Sequence, residues 1–373
     1  MGKEVLEKFY EKEVTPLLQE ILQQLEEEFQ QHKDELKVGF LESFETICQQ
    51  IKMIQEREHM PIGFMMYNLL RTRLLQRKYT YSVRVYDEEW YLKEGISVGD
   101  WDVSFFYQYV ELFWQRLLKQ AQKYVMKISV LDVERIVLNE LEDFHDYVVE
   151  LMRYSIIDAV ELETYLALEK ANIFRIQAGE FYEPCRAVHI EKIEKNELKL
   201  KNWLKKNERK SYCFEDFTHL NLSDFQCTNM DLRYTDFRGS TLESVSLRGS
   251  VLVGAKFKSC QMKEADLVAC MLQNATFQQA DLAGANFSFC VAFTGKSEAT
   301  PWKKIGFTGT SFKDSRLQGA HFKGATLCGV DFTGADLTDA DFEEAQLYSS
   351  RFTRKQLEVC HLTAKQLEQI KIL

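Results

Sequence analysis

The sequence lacks the features that mark a membrane-spanning or a secreted protein. In its 373 residues no run of eighteen apolar residues occurs, which argues against a membrane-spanning helix. The opening MGKEVLEKFYEKEV is charged and has no apolar signal core. Nine cysteines are scattered without a CxxC pair or zinc-ligand spacing, and this favours reduced thiols over a disulfide framework. We therefore expect a cytoplasmic protein.

Motifs of catalysis are missing as well. The sequence contains no Gly-rich phosphate loop, no Gly-x-Ser-x-Gly elbow and no Cys–His arrangement with a supporting residue. Two Glu-x-x-His pairs, Glu56 with His59 and Glu142 with His145, have the spacing used by di-iron helix bundles. Because glutamate is abundant, we expect such pairs to arise by chance. We expect no metal, no cofactor and no enzyme; an enzyme or metal-binding helical domain is the alternative.

The chain divides near residue 210 into two parts of different composition. Residues 1–210 contain six glycines and have a net charge of −8, whereas residues 211–373 contain eleven glycines and have a net charge of −2. The two parts predict two domains. The overall fold class is α+β and multidomain, with a mainly α-helical domain first and a repeat domain second.

Helical periodicity covers most of the first part. An amphipathic segment runs from Glu4 to about Lys33, where Pro16 predicts a kink or a break. Further helices are predicted over 34–58, 61–78, 100–127, 129–152 and 155–171. Two extended stretches, 79–92 and 172–190, are each interpreted as a hairpin or an irregular connection. The charged segment 191–210 is interpreted as a linker that covers the start of the repeats.

The second part repeats every five residues. Large apolar residues recur through GADLTDADFEEAQL at Leu337, Phe342 and Leu347, and a small residue stands two places before each. The same spacing holds from Phe217 to Phe287 and from Phe307 onward. A fixed period sustained this long indicates a repeat architecture. The pattern fits a coil in which each pentad forms one side, four sides close a coil of 20 residues, and coils stack at about 4.8 Å.

This pattern resembles the pentapeptide-repeat family over residues 211–357. ADLTDADFEEAQL and ADLAGANF match the family motif closely. The resemblance implies a right-handed quadrilateral β-helix. Residues 288–306, SFCVAFTGKSEATPWKKIG, depart from the motif and are interpreted as a protruding loop or as a degenerate coil. Residues 358–373 are predicted to form a C-terminal helical cap, with capping-box spacing at Thr353 and at Thr363.

The 20-residue coil makes residues i and i+20 stacked neighbours. The rule pairs opposite charges more often than like charges along the rod. The predicted opposite pairs are Asp236–Lys256, Glu243–Lys263, Arg316–Asp336, Lys323–Glu343 and Asp331–Arg351, with His321 beside Asp341. Two like pairs stand against them, Asp216–Asp236 and Arg238–Lys258. Asp339 and Glu344 are left without a partner, which makes them candidate contact residues.

Two surfaces of the helical part are further candidates. The aromatic-rich stretch 88–114 exceeds what a core helix needs, so it is interpreted either as core or as a partner-facing surface. Its candidate residues are Trp90, Trp101, Phe105, Phe106 and Tyr109, to which Trp302 of the second part is added. A basic patch is predicted from Arg71, Arg73, Arg77 and Lys78. It is interpreted as a solvated helix face with nearby acids, or as a surface for anionic membrane or nucleic acid.

The first functional hypothesis is a non-enzymatic bacterial scaffold that displays the β-helix to an unknown protein partner. No direct binding of nucleic acid is expected, and the C-terminal cap could support a homodimer. The alternative comes from the family resemblance, since some pentapeptide-repeat proteins mimic duplex DNA and protect a type II topoisomerase such as DNA gyrase from quinolones. The alternative is weakened by the long helical part and by the paired acids of the rod.

Overall fold

The protein consists of two compact units. The computed structural model describes residues 2–124, 127–181, 184–206, 212–294 and 308–373. The first unit comprises Met1–His189 and the second Ile190–Leu373. The division lies ahead of residue 210 because the segment that follows it packs with the repeats: Leu204 is buried in the same apolar cluster as Tyr212 and Phe217. Among the described residues no helix is long and apolar enough to cross a membrane.

The first unit contains seven described helices and a five-stranded sheet. The helices are α1 Gly2–Phe9, α2 Thr15–Glu58, α3 Arg71–Leu75, α4 Ser104–Ala121, α5 Val130–Asn139, α6 Leu141–Ala159 and α7 Glu163–Leu166. The strands are β1 Ile62–Leu69, β2 Thr80–Tyr86, β3 Ile96–Asp102, β4 Lys170–Glu180 and β5 Arg186–Lys192, in the order β3-β2-β1-β4-β5. β1 is antiparallel to β2 and parallel to β4.

One helix of 44 residues, α2, replaces the two helices predicted up to residue 58. Pro16 lies in its first turn, directly after a π-helical turn at Tyr10–Val14. A proline is tolerated there because the first turn of a helix needs no N–H donor from that position. The helix ends at His59, whose φ of 49° is left-handed.

The predicted helix over 61–78 is wrong. Ile62–Leu69 is the central strand β1, and all eight of its residues are buried. A strand buried on both faces shows an unbroken apolar run, which periodicity alone cannot distinguish from a buried helix. The extended stretch 79–92 contains β2, and the stretch 172–190 contains most of β4 and the start of β5.

The second unit is a coil with a 20-residue repeat. Parallel backbone bridges join Asp216 to Asp236, Asp236 to Lys256, and the equivalent residues of each later coil. Large side chains stack inside, as Phe257 does on Phe277 with ring centroids 4.8 Å apart. Every fifth residue from Phe214 to Phe289 and from Gly309 to Ser349 has a positive φ and forms a corner. At Gly254, with φ 68°, a Cβ atom would lie 2.4 Å from the Tyr234 ring, so the corner also requires a small residue.

The backbone pairing between successive coils continues across the predicted loop, but here the paired residues are further apart in the sequence. Val291 pairs with Met271, 20 residues earlier, and with Thr326, 35 residues later. These contacts place 288–292 inside the coil in phase. The part of the departure at 295–306, including Trp302, lies outside the described residues.

The C-terminal segment keeps the coil register but changes its secondary structure. A 3₁₀ turn at Gln356–Glu358 and a short helix at Ala364–Gln369 occupy two sides, and the strand Lys371–Ile372 pairs with Arg351–Phe352. Gln366 Nε2 donates to the carbonyls of Phe342 and Ala345, at 2.8 and 3.0 Å. Gln356 does the same for Phe332 and Ala335, at 2.5 and 2.8 Å. These side-chain amides take the place of the donors that another coil would supply.

At the other end of the coil α8 Glu197–Lys205 contributes two apolar side chains. Leu204 is buried in the coil core, and the ring of Trp203 lies 4.5 Å from that of Tyr212. Lys195 Nζ reaches Asp216 at 2.6 Å, which compensates the like pair that Asp216 forms with Asp236.

Candidate protein-binding surfaces

The aromatic stretch 88–114 divides between core and surface. Trp101 and Phe106 are 5% and 1% exposed, so the prediction that they face a partner is wrong for both. Trp101 packs edge-on against Phe40 at 5.0 Å, because its strand β3 lies under α2. Trp90 is half-buried and stacks on Phe64 at 4.7 Å.

Phe105 and Tyr109 remain candidates. Both are half-buried on α4, with ring centroids 6.3 Å apart. The ring of His32 lies 6.1 Å from that of Phe105. Partial burial raises the pKa of the Tyr109 hydroxyl, and the carboxylate of Glu28 adds to the effect.

The predicted basic patch is largely neutralised. Arg71 donates two hydrogen bonds to Glu180, at 2.8 and 2.9 Å, and Arg73 lies 2.7 Å from Asp100. Arg77 pairs with Glu111 and lies over the Trp114 ring at 4.3 Å. Lys78 is exposed. The arrangement agrees with a solvated face whose arginines are held by acids, and it leaves little free charge for an anionic surface.

The Glu-x-x-His pairs do not converge. His59 caps α2, and Glu142 bonds Arg186 at 2.6 Å. His145 is buried, and its Nδ1 lies 2.6 Å from the Tyr81 hydroxyl, which also contacts the Tyr107 hydroxyl at 3.0 Å. Burial lowers the pKa of His145 to about 4, so the ring is neutral near pH 7. Within the described ranges no group of His, Cys, Asp and Glu is arranged to hold a metal ion.

The thiols of the coil are structural. Cys260, Cys270 and Cys290 are fully buried, and each Sγ donates to a backbone carbonyl 23 residues earlier, at 2.8 to 3.0 Å. Burial raises the pKa of Cys260 to about 12. Cys270 and Cys290 are both free thiols, and they act as small fillers.

The stacking rule gives three of the predicted ion pairs. Lys256 lies 3.9 Å from Asp236, Arg351 lies 3.2 Å from Asp331, and Lys323 pairs with Glu343. The other two predicted pairs change partner, because Arg316 and Lys263 both contact Asp281, at 3.2 and 3.5 Å.

Asp336 and the two unpaired acids have different environments. Hydrogen bonds from Thr338 hold the pKa of Asp336 below its ordinary value. Asp339 and Glu344 are exposed at corners, with φ of 57° and 59°. Turn geometry accounts for Asp339, since a short polar side chain tolerates left-handed φ better than a branched one.

Among the described residues, which exclude 295–307, one side of the coil carries no charge from residue 251 onward; it is here called side four. Its outward positions flank Leu252, Leu272, Ala292, Leu327 and Leu347. They hold Val251, Val253, Met271, Gln273, Val291, Phe293, Thr326, Cys328, Gln346 and Tyr348. The equivalent positions of the other three sides include both acids and bases. Val253 and Phe293 form an apolar cluster separate from the coil interior, with Val251, Met271, Val291 and Cys328 packed against it.

Gln273 lies at the centre of side four. It is 1% exposed, and within the part of the chain that the structure describes neither Nε2 nor Oε1 has a hydrogen-bond partner. A buried amide without partners costs free energy, so this position calls for a donor and an acceptor beside it. Sequence reasoning missed side four because the 20-residue rule was applied only to pairs of charged residues. When the outward positions are grouped by the 20-residue coil length, the absence of charge on side four is visible in the sequence.

Comparison with known proteins identifies the repeats. Residues 216–249, 250–288 and 307–354 match the family model described as pentapeptide repeats, in eight copies. The second unit contains a pentapeptide-repeat domain. The match does not extend to the first 215 residues. No curated protein sequence shows significant similarity to the chain.

Solved structures with similarity to the pentapeptide-repeat domain include three described proteins. Full-length QnrB1, a plasmid-mediated fluoroquinolone resistance protein, is 16% identical, covering 42% of this chain and 93% of its own, with a TM-score of 0.26. Rfr23 from the cyanobacterium Cyanothece 51142 is 17% identical over 40% and 95%, with a TM-score of 0.16. HetL from Nostoc sp. strain PCC 7120 is 18% identical over 42% and 97%, with a TM-score of 0.12. At these values the similarity carries no statement of function.

Proposed function

We propose that this chain is a non-enzymatic bacterial cytoplasmic protein that binds a protein partner through its pentapeptide-repeat domain. We take the coil to be the right-handed four-sided β-helix of the family, closed at its C-terminal end by the helices that follow residue 355. The single observation that carries the proposal is the charge-free side four. A surface without charges beside three charged sides marks a place where apolar contact costs little desolvation.

Side four favours a partner that presents apolar side chains. Val251, Met271 and Val291 supply half-buried apolar contact along successive coils. Apolar contact with a few placed polar groups is the usual composition of the centre of an interface.

The topoisomerase-mimic alternative is less well supported. A DNA mimic needs acids free to replace phosphates, whereas Asp236, Asp281 and Asp331 each lie within 4 Å of a basic side chain. A gyrase supercoiling assay with the purified full chain separates the two functions. Inhibition or protection of gyrase at micromolar concentration would favour the mimic, and an unchanged reaction would remove it.

A homodimer through the C-terminal cap is part of the proposal. Leu367, Ile372 and Leu373 are 43%, 49% and 66% exposed. Their exposure at the end of the coil gives an apolar patch at the strand Lys371–Ile372. Sedimentation of the full chain with Ile372→Lys tests it: loss of a dimer supports the contact, and an unaltered dimer refutes it.

Capture of partners by the tagged full chain tests side four. The variant Val251→Lys, Val291→Lys places charges on side four at half-buried positions. The matched control Ser246→Lys, Asn286→Lys places them on the preceding side of the same coils, also at half-buried positions. We expect the bound protein to be lost with the first variant and kept with the control. Equal retention by both variants would overturn the proposal.

A further inference from the structure

The end of α4 and the start of α5 present an unusual combination of exposed groups. Val130 and Leu131, in the first turn of α5, are 65% and 69% exposed. Lys119, Lys123 and Lys127, which precede the pair along the chain, are exposed as well. These five residues are here called the α5 tip.

The apolar pair is held outward by anchored neighbours. Ile128 is 9% exposed and Val133 is fully buried, so the backbone on both sides of the pair is fixed to the core. Ser129 accepts a hydrogen bond from the backbone of Asp132 at 3.1 Å, and Asp132 accepts from the backbone of Ser129 at 2.9 Å. This capping box sets the direction of the first turn, and that turn projects Val130 and Leu131 into solvent.

The lysines of the α5 tip are free to meet an anion. Over the described part of the chain, no carboxylate forms an ion pair with Lys119, Lys123 or Lys127, whereas Arg71, Arg73 and Arg77 each have one. Lys119 lies in the last turn of α4, and Lys123 lies two residues beyond the end of that helix. The backbone N–H of Lys127 donates a hydrogen bond to the Tyr124 carbonyl at 2.8 Å.

We propose that the α5 tip is a docking surface for an anionic lipid bilayer. Aliphatic side chains inserted to the level of the headgroups, flanked by lysines, are the combination by which peripheral proteins bind such surfaces. The chain as a whole has a net charge of −10 and is repelled by anionic lipid, so the tip fixes the orientation of approach. The inference does not depend on the function proposed for side four.

Acidic neighbours set the strength of the contact. Asp132 is engaged in the capping box, and hydrogen bonds from Ser129 keep its pKa below the ordinary value, so it stays charged. Glu134 lies one turn into α5. A third acid, Glu13, accepts a hydrogen bond from the Tyr124 hydroxyl at 3.2 Å, and Arg135 lies near Asp132 on the basic side of the balance. The three lysines therefore act against three acids, and the contact is expected to be weak and strongly dependent on salt.

Co-sedimentation of the full chain with vesicles tests the proposal. The vesicles contain phosphatidylcholine with about 30% phosphatidylserine, at an ionic strength of about 50 mM, where electrostatic attraction is weakly screened. We expect the wild type to bind these vesicles, to bind vesicles of phosphatidylcholine alone much less, and to be released by salt. No binding to the anionic vesicles overturns the proposal.

Two double variants identify the groups. Lys123→Gln with Lys127→Gln is expected to lower the partition coefficient by roughly 25-fold, since each lysine near an anionic surface contributes about a factor of five. Val130→Ser with Leu131→Ser is expected to lower it by at least about tenfold. The matched control Leu166→Ser removes a leucine of the same unit that is 62% exposed, and it should bind as the wild type does. Wild-type binding by either double variant, or equal loss in the control, refutes the assignment.

Discussion

The ring of Phe277 stacks on the ring of Phe312, 35 residues along the chain, with centroids 4.9 Å apart and planes at 7°. Phe287 and Phe322 are stacked with the same separation of 35 residues. Pairs of stacked residues in the coil that do not span residues 295–307 are 20 apart, as Phe257 and Phe277 are. The longer step keeps the phase of the pentads, because the extra length is a multiple of five. Stacking in this coil therefore depends on the place of each residue within its pentad, and an inserted segment is tolerated when its length is a multiple of five.

Deletion of residues 295–309 should preserve the fold. It joins Thr294 to Thr310, so Thr310 keeps its hydrogen bond to the Leu272 carbonyl and Phe312 keeps its stack. Deletion of 295–308, one residue fewer, shifts the following pentads by one place and turns their apolar residues outward. We expect native-like circular dichroism and cooperative melting for the first deletion only. Equal melting of the two proteins would show that phase is not the constraint.

The glutamine Gln366 closes one side of the coil. In Gln366→Leu the carbonyls of Phe342 and Ala345 lose a shared donor, so we expect the free energy of unfolding to fall by roughly 1–3 kcal/mol. Denaturant titration measures it. The control Lys365→Ala, an exposed position of the same helix, should change stability by less than about 0.5 kcal/mol.

Replacing a phenylalanine of the coil by alanine should lower the free energy of unfolding by an amount that depends on whether the ring faces the interior or the solvent. Phe277 is fully buried between two stacked rings, and Phe277→Ala should lower the free energy of unfolding by about 3–5 kcal/mol. Phe289 is 57% exposed at a corner, so Phe289→Ala should have a small effect. Similar decreases in the free energy of unfolding for the two variants would contradict the assignment of Phe277 to the interior of the coil.

His145 should make stability depend on pH. Burial lowers its pKa to about 4 in the folded state, below the unfolded value of about 6.5. The unfolded chain therefore binds more protons between these values, and stability that is complete above pH 6.5 is lost as the pH falls toward 4. At pH 5 the expected loss is about 2 kcal/mol. Denaturant titrations at pH 7 and pH 5 should show the loss in the wild type and a smaller one in His145→Asn; equal losses would contradict it.

Much of the repeat domain could be predicted from the sequence. The spacing of Leu337, Phe342 and Leu347 predicts the five-residue period. The spacing of Thr363 and Gln366 predicts the capping box that the structure contains. The partner choices of Arg316 and Lys263 could not be predicted, because stacking identifies neighbours but not which rotamer reaches which carboxylate.

The first unit was harder to predict because its signals are ambiguous. The run PIGFMMYNLL is apolar throughout, and only its place at the centre of the sheet makes it a strand. Trp101 and Phe106 were predicted as partner-facing, since an aromatic-rich sequence has the same composition in a core as at an interface. Side four was visible in the sequence, but only after the coil length had been used to sort outward residues by side.

Photo-crosslinking tests the central claim most directly. A photoreactive amino acid is placed at position 291 of side four in the full chain, and in a second protein at position 286 on the preceding side of the same coil. The account predicts that in cells the first protein forms a discrete crosslinked species with a partner and the second does not. Crosslinking of equal yield from both positions, or from 286 alone, would contradict binding through side four.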